Sequence, residues 1–257
     1  EQRMRQGKPA RKSREEGPDF IPHSLLVRAA AQLGTWLALV LLSGFDRAAY
    51  GMRIKGLRNL RGLRGGFITL CNHVHPMDST MVAVSLFPRR VYFPTLEANA
   101  RLPVAGLFVR ALGGIPIPGS LGGLARFFQS MEKVLARGQC VHFFPEGELE
   151  PYCRGLRPFK NGAFYLALRQ RVPVVPMVVR YRDPKGLQKL WRKRPMMTLQ
   201  VGKPIYSIES EPTPAAEECL KQAAWRAMEQ MARGLGCGLK GFTEVAESAE
   251  AGGGESV

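Results

Sequence analysis

Histidine and cysteine are scarce in this chain of 257 residues, at four and five, and the cysteines fall into no ligand pattern. Cys71, Cys140, Cys153, Cys219 and Cys237 are odd in number, scattered and without a CxxC pair. That spacing argues against a disulfide framework and a zinc-finger module, and points to a reducing compartment. Acidic residues are also few: 21 Asp and Glu against 37 Lys and Arg leave a formal charge of +16. Such a field attracts anionic partners, whether nucleic acid, an anionic bilayer or a polyphosphate ligand, and says nothing of fold. No internal repeat is evident. No RNP-type aromatic pattern, zinc-ligand set or recognition helix appears, which argues against a nucleic-acid binder. A signal-peptide layout is not expected either, because the basic start is too long and no small-residue cleavage site follows the apolar run.

Hydrophobic residues at 45% with 23% charged describe a globular protein with a sizeable core. Residues 1–22 carry six basic and four acidic residues and read as a flexible basic arm; residues 243–257 carry four Glu and no base and read as a disordered acidic tail. Residues 23–48 form an apolar helical segment, with 17 uncharged residues from Ala29 to Phe45. A spanning helix needs about 20 predominantly apolar residues. This run, diluted by Gln32, Gly34, Thr35, Ser43 and Gly44, could span, lie in a membrane or pack in the core. Trp36 and the basic surroundings favour membrane contact.

Residues 49–242 alternate short apolar runs with helical patterns. "GFITLCN", "VYFPTLEA", "GIPIP", "CVHFFPEG", "VPVVPMVVRY" and "MMTLQVGKPIY" suit strands. "DSTMVAVSLF", "PVAGLFVRAL", "LARFFQSMEKVLARG" (closed by Gly138), "KNGAFYLALRQ" and "PAAEECLKQAAWRAMEQMARGLG" suit helices. The alternation predicts an α/β fold with a mainly parallel twisted sheet flanked by helices. Ligands bind such sheets beyond the carboxyl ends of the strands. His73 directly follows one strand and Glu146 another, so parallel strands would bring both to one edge.

The stretch "CNHVHPMDS" (71–79) allows several chemistries. Pro76 disfavours helix through His75, so a turn before Asp78 could return its carboxylate onto His73. A histidine held at Nδ1 by a carboxylate presents Nε2 as a base near neutral pH. Asp78 could equally be a helix N-cap. His73, His75 and Asp78 could also be metal ligands, although only His23 and His142 remain to complete such a set. Cys71, inside an apolar run, reads as a buried thiol.

"NHVHPMDS", "FFPEGE" (143–148) and "RPFKNGAFYLALRQRVPVVPMVV" (157–179) together resemble the lysophospholipid acyltransferase family, whose best-known members are the 1-acylglycerol-3-phosphate acyltransferases. The family's N-H-x4-D block, Gly-Ile-like strand block, F-P-E-G and V-P-hydrophobic-P block all have counterparts, in order, across about residues 50 to 205. The resemblance implies a membrane-associated enzyme, at the cytoplasmic face, that moves a fatty acyl group from acyl-CoA or acyl-carrier protein to a lysolipid hydroxyl. It implies His73 as general base, Asp78 as its orienting partner, no acyl-enzyme, and no metal or other cofactor beyond the acyl donor. Glu146 and Gly147 would place the acceptor, Glu146 at a hydroxyl and Gly147 by close backbone approach.

Two departures stand out. "GGIPIPGS" has Pro118 near the position where the family carries an Arg, and Glu148 and Leu149 replace the Thr-Arg that usually follows F-P-E-G. Arg154, Arg157 and Lys160 could supply the lost cations to an acceptor phosphate. The expected acceptor is 1-acylglycerol-3-phosphate; a lysolipid with another head group, or an inactive membrane-docked scaffold, are the alternatives. "KGLQKLWRKRP" (185–195), with five basic residues around Trp191, suits either a lipid headgroup region or an ordinary packed surface.

Overall fold

The apolar runs assemble, in a computed structural model, into one seven-stranded sheet. The structure describes residues 25–96, 98, 106, 109, 113–153, 155–184, 186, 188–191, 195–208 and 211–233. The predicted arm, the tail and the 103–112 helix lie outside these residues, apart from Gly106 and Val109.

Helix α1 (Leu25–Tyr50) precedes β1 (Arg53–Lys55), β2 (Phe67–Cys71), α2 (Asp78–Leu86), β3 (Val91–Leu96), β4 (Gly114–Ile117), α3 (Leu121–Ala136) and β5 (Cys140–Phe143). Helix α4 (Gly162–Gln170), β6 (Val174–Arg182), the single turn α5 (Gln188–Trp191), β7 (Met196–Val201) and α6 (Pro214–Arg233) complete the order. The strands lie in the order β1-β7-β6-β2-β5-β3-β4, parallel except where β7 runs against β6. β1 is too short and polar to show in the apolar pattern; it adds to the edge beside β7.

β2 lies at the centre, and all five of its residues are buried. Ile68 and Leu70 face α3, α4 and α6, together with Phe127, Met131, Phe164, Leu220 and Met228. Phe67 and Cys71 face α1 and α2, together with Leu39, Met81, Val82 and Leu86. The two-residue period of a strand and the two covered faces account for its continuous apolar run. Helix α3 starts at Leu121, three residues before the sequence pattern suggested, because Ser120 caps it and accepts from the Gly123 N–H at 3.2 Å. It ends at Gly138, whose positive φ of 74° suits the residue after a helix.

β2 feeds α2 on one face, and its neighbour β5 feeds α4 on the other. Chains leaving adjacent parallel strands toward opposite faces open a crevice at the carboxyl ends. His73 and Glu146 both lie at that edge.

Helix α1 reverses the usual amphipathic pattern, with a mixed inward side and an apolar outward one. Thr35, Leu39 and Asp46 are buried, and the Thr80 hydroxyl of α2 contacts Asp46 Oδ2 at 2.9 Å. Burial raises the Asp46 pKa against the opposing pull of Thr80 and Arg47. Leu33, Leu37, Val40, Leu41 and Phe45 point outward, each more than half exposed. The pure core-helix reading therefore fails for this segment. Among the described residues no helix is long and apolar enough to cross a membrane.

His142 is a polar intrusion into the core, 1% exposed, with Nδ1 2.8 Å from the Thr69 hydroxyl. Burial, and secondarily the nearby His73, lower its pKa from 6.5 to about 3. The unfolded chain thus binds a proton here that the fold refuses. Its neutral-state stability is fully present above pH 6.5 and is lost as pH falls from there toward 3. The loss amounts to roughly 5 kcal/mol at about 1.4 kcal/mol per pH unit. Chemical denaturation at several pH values should show that acid arm flattened in His142→Phe.

Candidate active site

The turn after β2 is built by its own side chains. Asn72 clamps the strand end to β6: its amide donates to Val179 O at 3.0 Å and accepts from the Val179 N–H at 2.8 Å. The chain then turns through Pro76 into α2, whose first residue is Asp78. Asp78 is wholly buried, and its Oδ2 accepts from the Val74 N–H at 2.7 Å and the His75 N–H at 2.8 Å. The same oxygen lies 3.2 Å from His73 Nδ1. These are amides that precede the helix, so Asp78 does not cap it in the usual sense. It folds the turn and holds the imidazole.

With Nδ1 donating to a carboxylate, Nε2 is the nitrogen left for substrate, and about a fifth of the His73 side chain (21%) is exposed. Its ring stacks on Phe144, with centroids 3.9 Å apart and planes inclined by 13°. Backbone bonds from Glu150 N–H to His73 O and from Tyr152 N–H to Val74 O, each 3.0 Å, bind the loop after β5 to the turn. The Tyr181 hydroxyl donates to Val74 O at 2.7 Å. Burial, with the Asp78 charge next, raises the Tyr181 pKa well above its ordinary value, so this donor keeps its proton.

His75 turns away from the pair. Its Nδ1 accepts from the Met77 N–H at 3.1 Å, and its ring meets Tyr50 at 4.7 Å. Among the described residues, no three His, Cys, Asp or Glu side chains are grouped to hold a metal ion. Cys71 is fully buried, and burial followed by the Asp78 charge raises its pKa well above the ordinary thiol value.

Glu146 is buried beside this turn, and both of its oxygens have protein partners. Oε2 accepts from the His73 N–H at 3.3 Å and from Arg157 Nε and Nη2 at 3.1 and 2.8 Å. Oε1 accepts from the Arg157 N–H at 3.2 Å. Burial raises the Glu146 pKa despite those donors. The carboxylate expected at an acceptor hydroxyl thus joins the base's backbone to a guanidinium. Arg157 also donates through Nη2 to Glu148 O, and Nη1 has no partner among the described residues. Gly147, at φ +82°, has the Lys160 side chain against it: a Cβ there would lie 2.5 Å from Nζ. What approaches this glycine is therefore an ammonium. Arg154 lies outside the described residues.

His73, Asp78, Glu146, Gly147, Arg157 and Lys160 are thereby gathered at one sheet edge. Sequence reasoning missed roles for Asn72, Phe144 and Tyr181. Asn72 was visible as a polar residue at a strand end. The other two carry no local signal, because their contacts cross between elements.

Comparisons with known proteins place the chain in a family. A family model described as Acyltransferase matches residues 51–180, just over half of the chain. A curated relative, the chloroplastic 1-acyl-sn-glycerol-3-phosphate acyltransferase BAT2 of Brassica napus, is 27% identical over 171 residues. That alignment covers 63% of this chain and 47% of the relative, so the chain spans about half the length of the curated relative it matches. The crystal structure of the 1-acyl-sn-glycerophosphate (LPA) acyltransferase PlsC of Thermotoga maritima superimposes with a TM-score of 0.53 at 19% identity. It covers 80% of this chain and 88% of that one, a likeness of fold. On the family match, which contains the whole His73–Asp78 turn and the Glu146–Arg157 pair, the chain belongs to the acyltransferase family.

Proposed function

We propose that this protein acylates the free hydroxyl of a lysolipid, with 1-acylglycerol-3-phosphate as the acceptor and acyl-CoA or acyl-carrier protein as the donor. The His73–Asp78 pair carries the reading. His73 Nε2 takes the hydroxyl proton as the oxygen attacks the thioester carbonyl carbon. The C–S bond breaks, and the imidazolium returns the proton to the leaving thiolate. Asp78 keeps Nδ1 protonated and stabilises the imidazolium between those two transfers. A thioester carbonyl is already activated, so no acyl-enzyme is needed.

Arg157 and Lys160 supply cations for the acceptor phosphate. Glu146 fixes the guanidinium with two bonds that converge on Oε2, and the Nη1 edge remains for the ligand. Arg157 thereby stands in for the arginine that Leu149 displaces from the family's motif.

The apolar outer face of α1 supports docking at a bilayer. It ends at Phe45, whose ring meets Tyr50 at 5.9 Å, and Tyr50 touches His75. Between Asp46 and Asp78 there is no acidic residue, and Arg53, Lys55, Arg58, Arg61 and Arg64 are exposed. Anionic headgroups match that charge. The four described cysteines are free, in keeping with a reducing, cytoplasmic face.

Purified protein given acyl-CoA and a lysolipid panel, with products read by mass spectrometry, tests the activity directly. Lysophosphatidate should be the preferred acceptor; product from another head group alone would reassign it, and no product would leave a scaffold. His73→Ala should lose about 10²- to 10⁴-fold in kcat with an unchanged melting temperature. Removing the ion pair together, in Glu146→Gln/Arg157→Gln, should raise the acceptor KM about tenfold or more and leave the donor KM alone. Leu37→Glu/Leu41→Glu should abolish cosedimentation with anionic vesicles while soluble-acceptor turnover persists; unchanged sedimentation would refute α1 as the docking face.

A further inference from the structure

His142 and Thr69 have no part in the reaction above, yet they sit directly behind the base. Thr69 on β2 and His142 on β5 are cross-strand partners. Two residues on, just past the end of β5, comes Phe144, the ring on which His73 stacks. Phe144 meets His142 nearly perpendicularly, at 4.6 Å and 80°, and His142 in turn packs on Phe93 at 5.3 Å. Cys140 Sγ lies 3.6 Å from the Thr69 hydroxyl, which lies 2.8 Å from His142 Nδ1. His142 Nε2 is buried without a partner among the described residues.

Such a group asks for an explanation, because an unmatched buried nitrogen is destabilising where leucine or phenylalanine could pack without loss. Departures of this kind gather at functional sites. A phenylalanine at position 142 could slide or turn in its slot. A ring anchored at Nδ1 by the hydroxyl of the next strand has one orientation. His142 also stays neutral, since burial and the neighbouring His73 hold its pKa near 3, so it adds no like charge when His73 is protonated in turnover.

We propose that the Thr69–His142 pair is a positioning element for acyl transfer: its cross-strand hydrogen bond fixes the His142 ring, which holds Phe144 parallel to His73 and so keeps the base on Asp78. The inference rests on His73 being the general base. It makes residues 69 and 142 positioning residues, neither of which touches substrate. The Phe144 face also gives the transient imidazolium a favourable neighbour.

Thr69→Val, His142→Phe and the double variant, prepared as the full chain, test it by kcat, both KM values and thermal melting. Replacing both polar partners with apolar groups of similar shape should leave the double variant at or above the wild-type melting temperature. Its kcat should nevertheless fall about tenfold with both KM values within about twofold of wild type. Each single variant should show a similar loss, and the losses should not multiply, since both sever one bond. A melting temperature held or raised while kcat falls is a split that a merely structural role does not produce. A wild-type kcat in the double variant, or losses that follow falling stability across the three proteins, would overturn the proposal. If the double variant does not fold, Thr69→Val alone decides by the same criteria. His73→Ala is the control: inactive His73→Ala beside a normal double variant sinks only the positioning role, whereas active His73→Ala sinks the general-base reading and this inference with it.

Discussion

One buried carboxylate oxygen organises this site. Asp78 Oδ2 draws in two backbone amides and the His73 ring, all from the five residues before it in the chain. Burying a charge is strongly unfavourable unless donors surround it, so the same bonds that make Asp78 tolerable also shape the turn. The turn cannot relax without stranding the carboxylate, and the imidazole cannot rotate without giving up its bond. Structure and chemistry are therefore held by one group, and neighbouring elements are arranged to keep it in place. Asn72 anchors the entry to the turn on β6, and Thr80 joins its helix to α1 through Asp46.

A second buried carboxylate extends this logic across the crevice. Glu146 touches the His73 amide on one side and Arg157 on the other. The proposed base and the cation proposed for the acceptor phosphate thus share one carboxylate oxygen. The two carboxylates meet where β2 and β5 release their chains to opposite faces. Helix α1 reaches the same edge from outside: its last residue, Tyr50, packs on His75 of the catalytic turn.

The alternation of strands and helices was readable because each element buries a face with its own period. β2, β5 and β6 appear as apolar runs, and α3 and α6 as amphipathic stretches. Edge strand β1 was not readable, since three residues, "RIK", carry no buried face. Spacing alone left the His73–Asp78 pair open beside a helix N-cap, and the motif blocks that follow it in order singled the pair out; its contact spans only five residues. The ion pair of Glu146 with Arg157 was not legible. Both residues were singled out for the acceptor, but their mutual bond depends on how the loop from 147 to 156 folds back. The stack of His73 on Phe144 was hidden for a related reason, as it joins residues that follow two strands whose adjacency only the sheet order creates.

By itself the sequence determined the α/β class, which rests on periodicity, and the family and the pairing of residues 73 and 78, which rest on the order of short motif blocks. Tertiary structure decided the rest. It turned Glu146 from a free carboxylate into the partner of Arg157, and laid Lys160 over Gly147. It gave α1 one face for the core and another for the outside, and put His142 behind the catalytic ring. The physical reason is reach: hydrogen bonds and ring contacts act over about 3 to 6 Å, so residues far apart in sequence acquire partners only when the sheet sets their strands side by side.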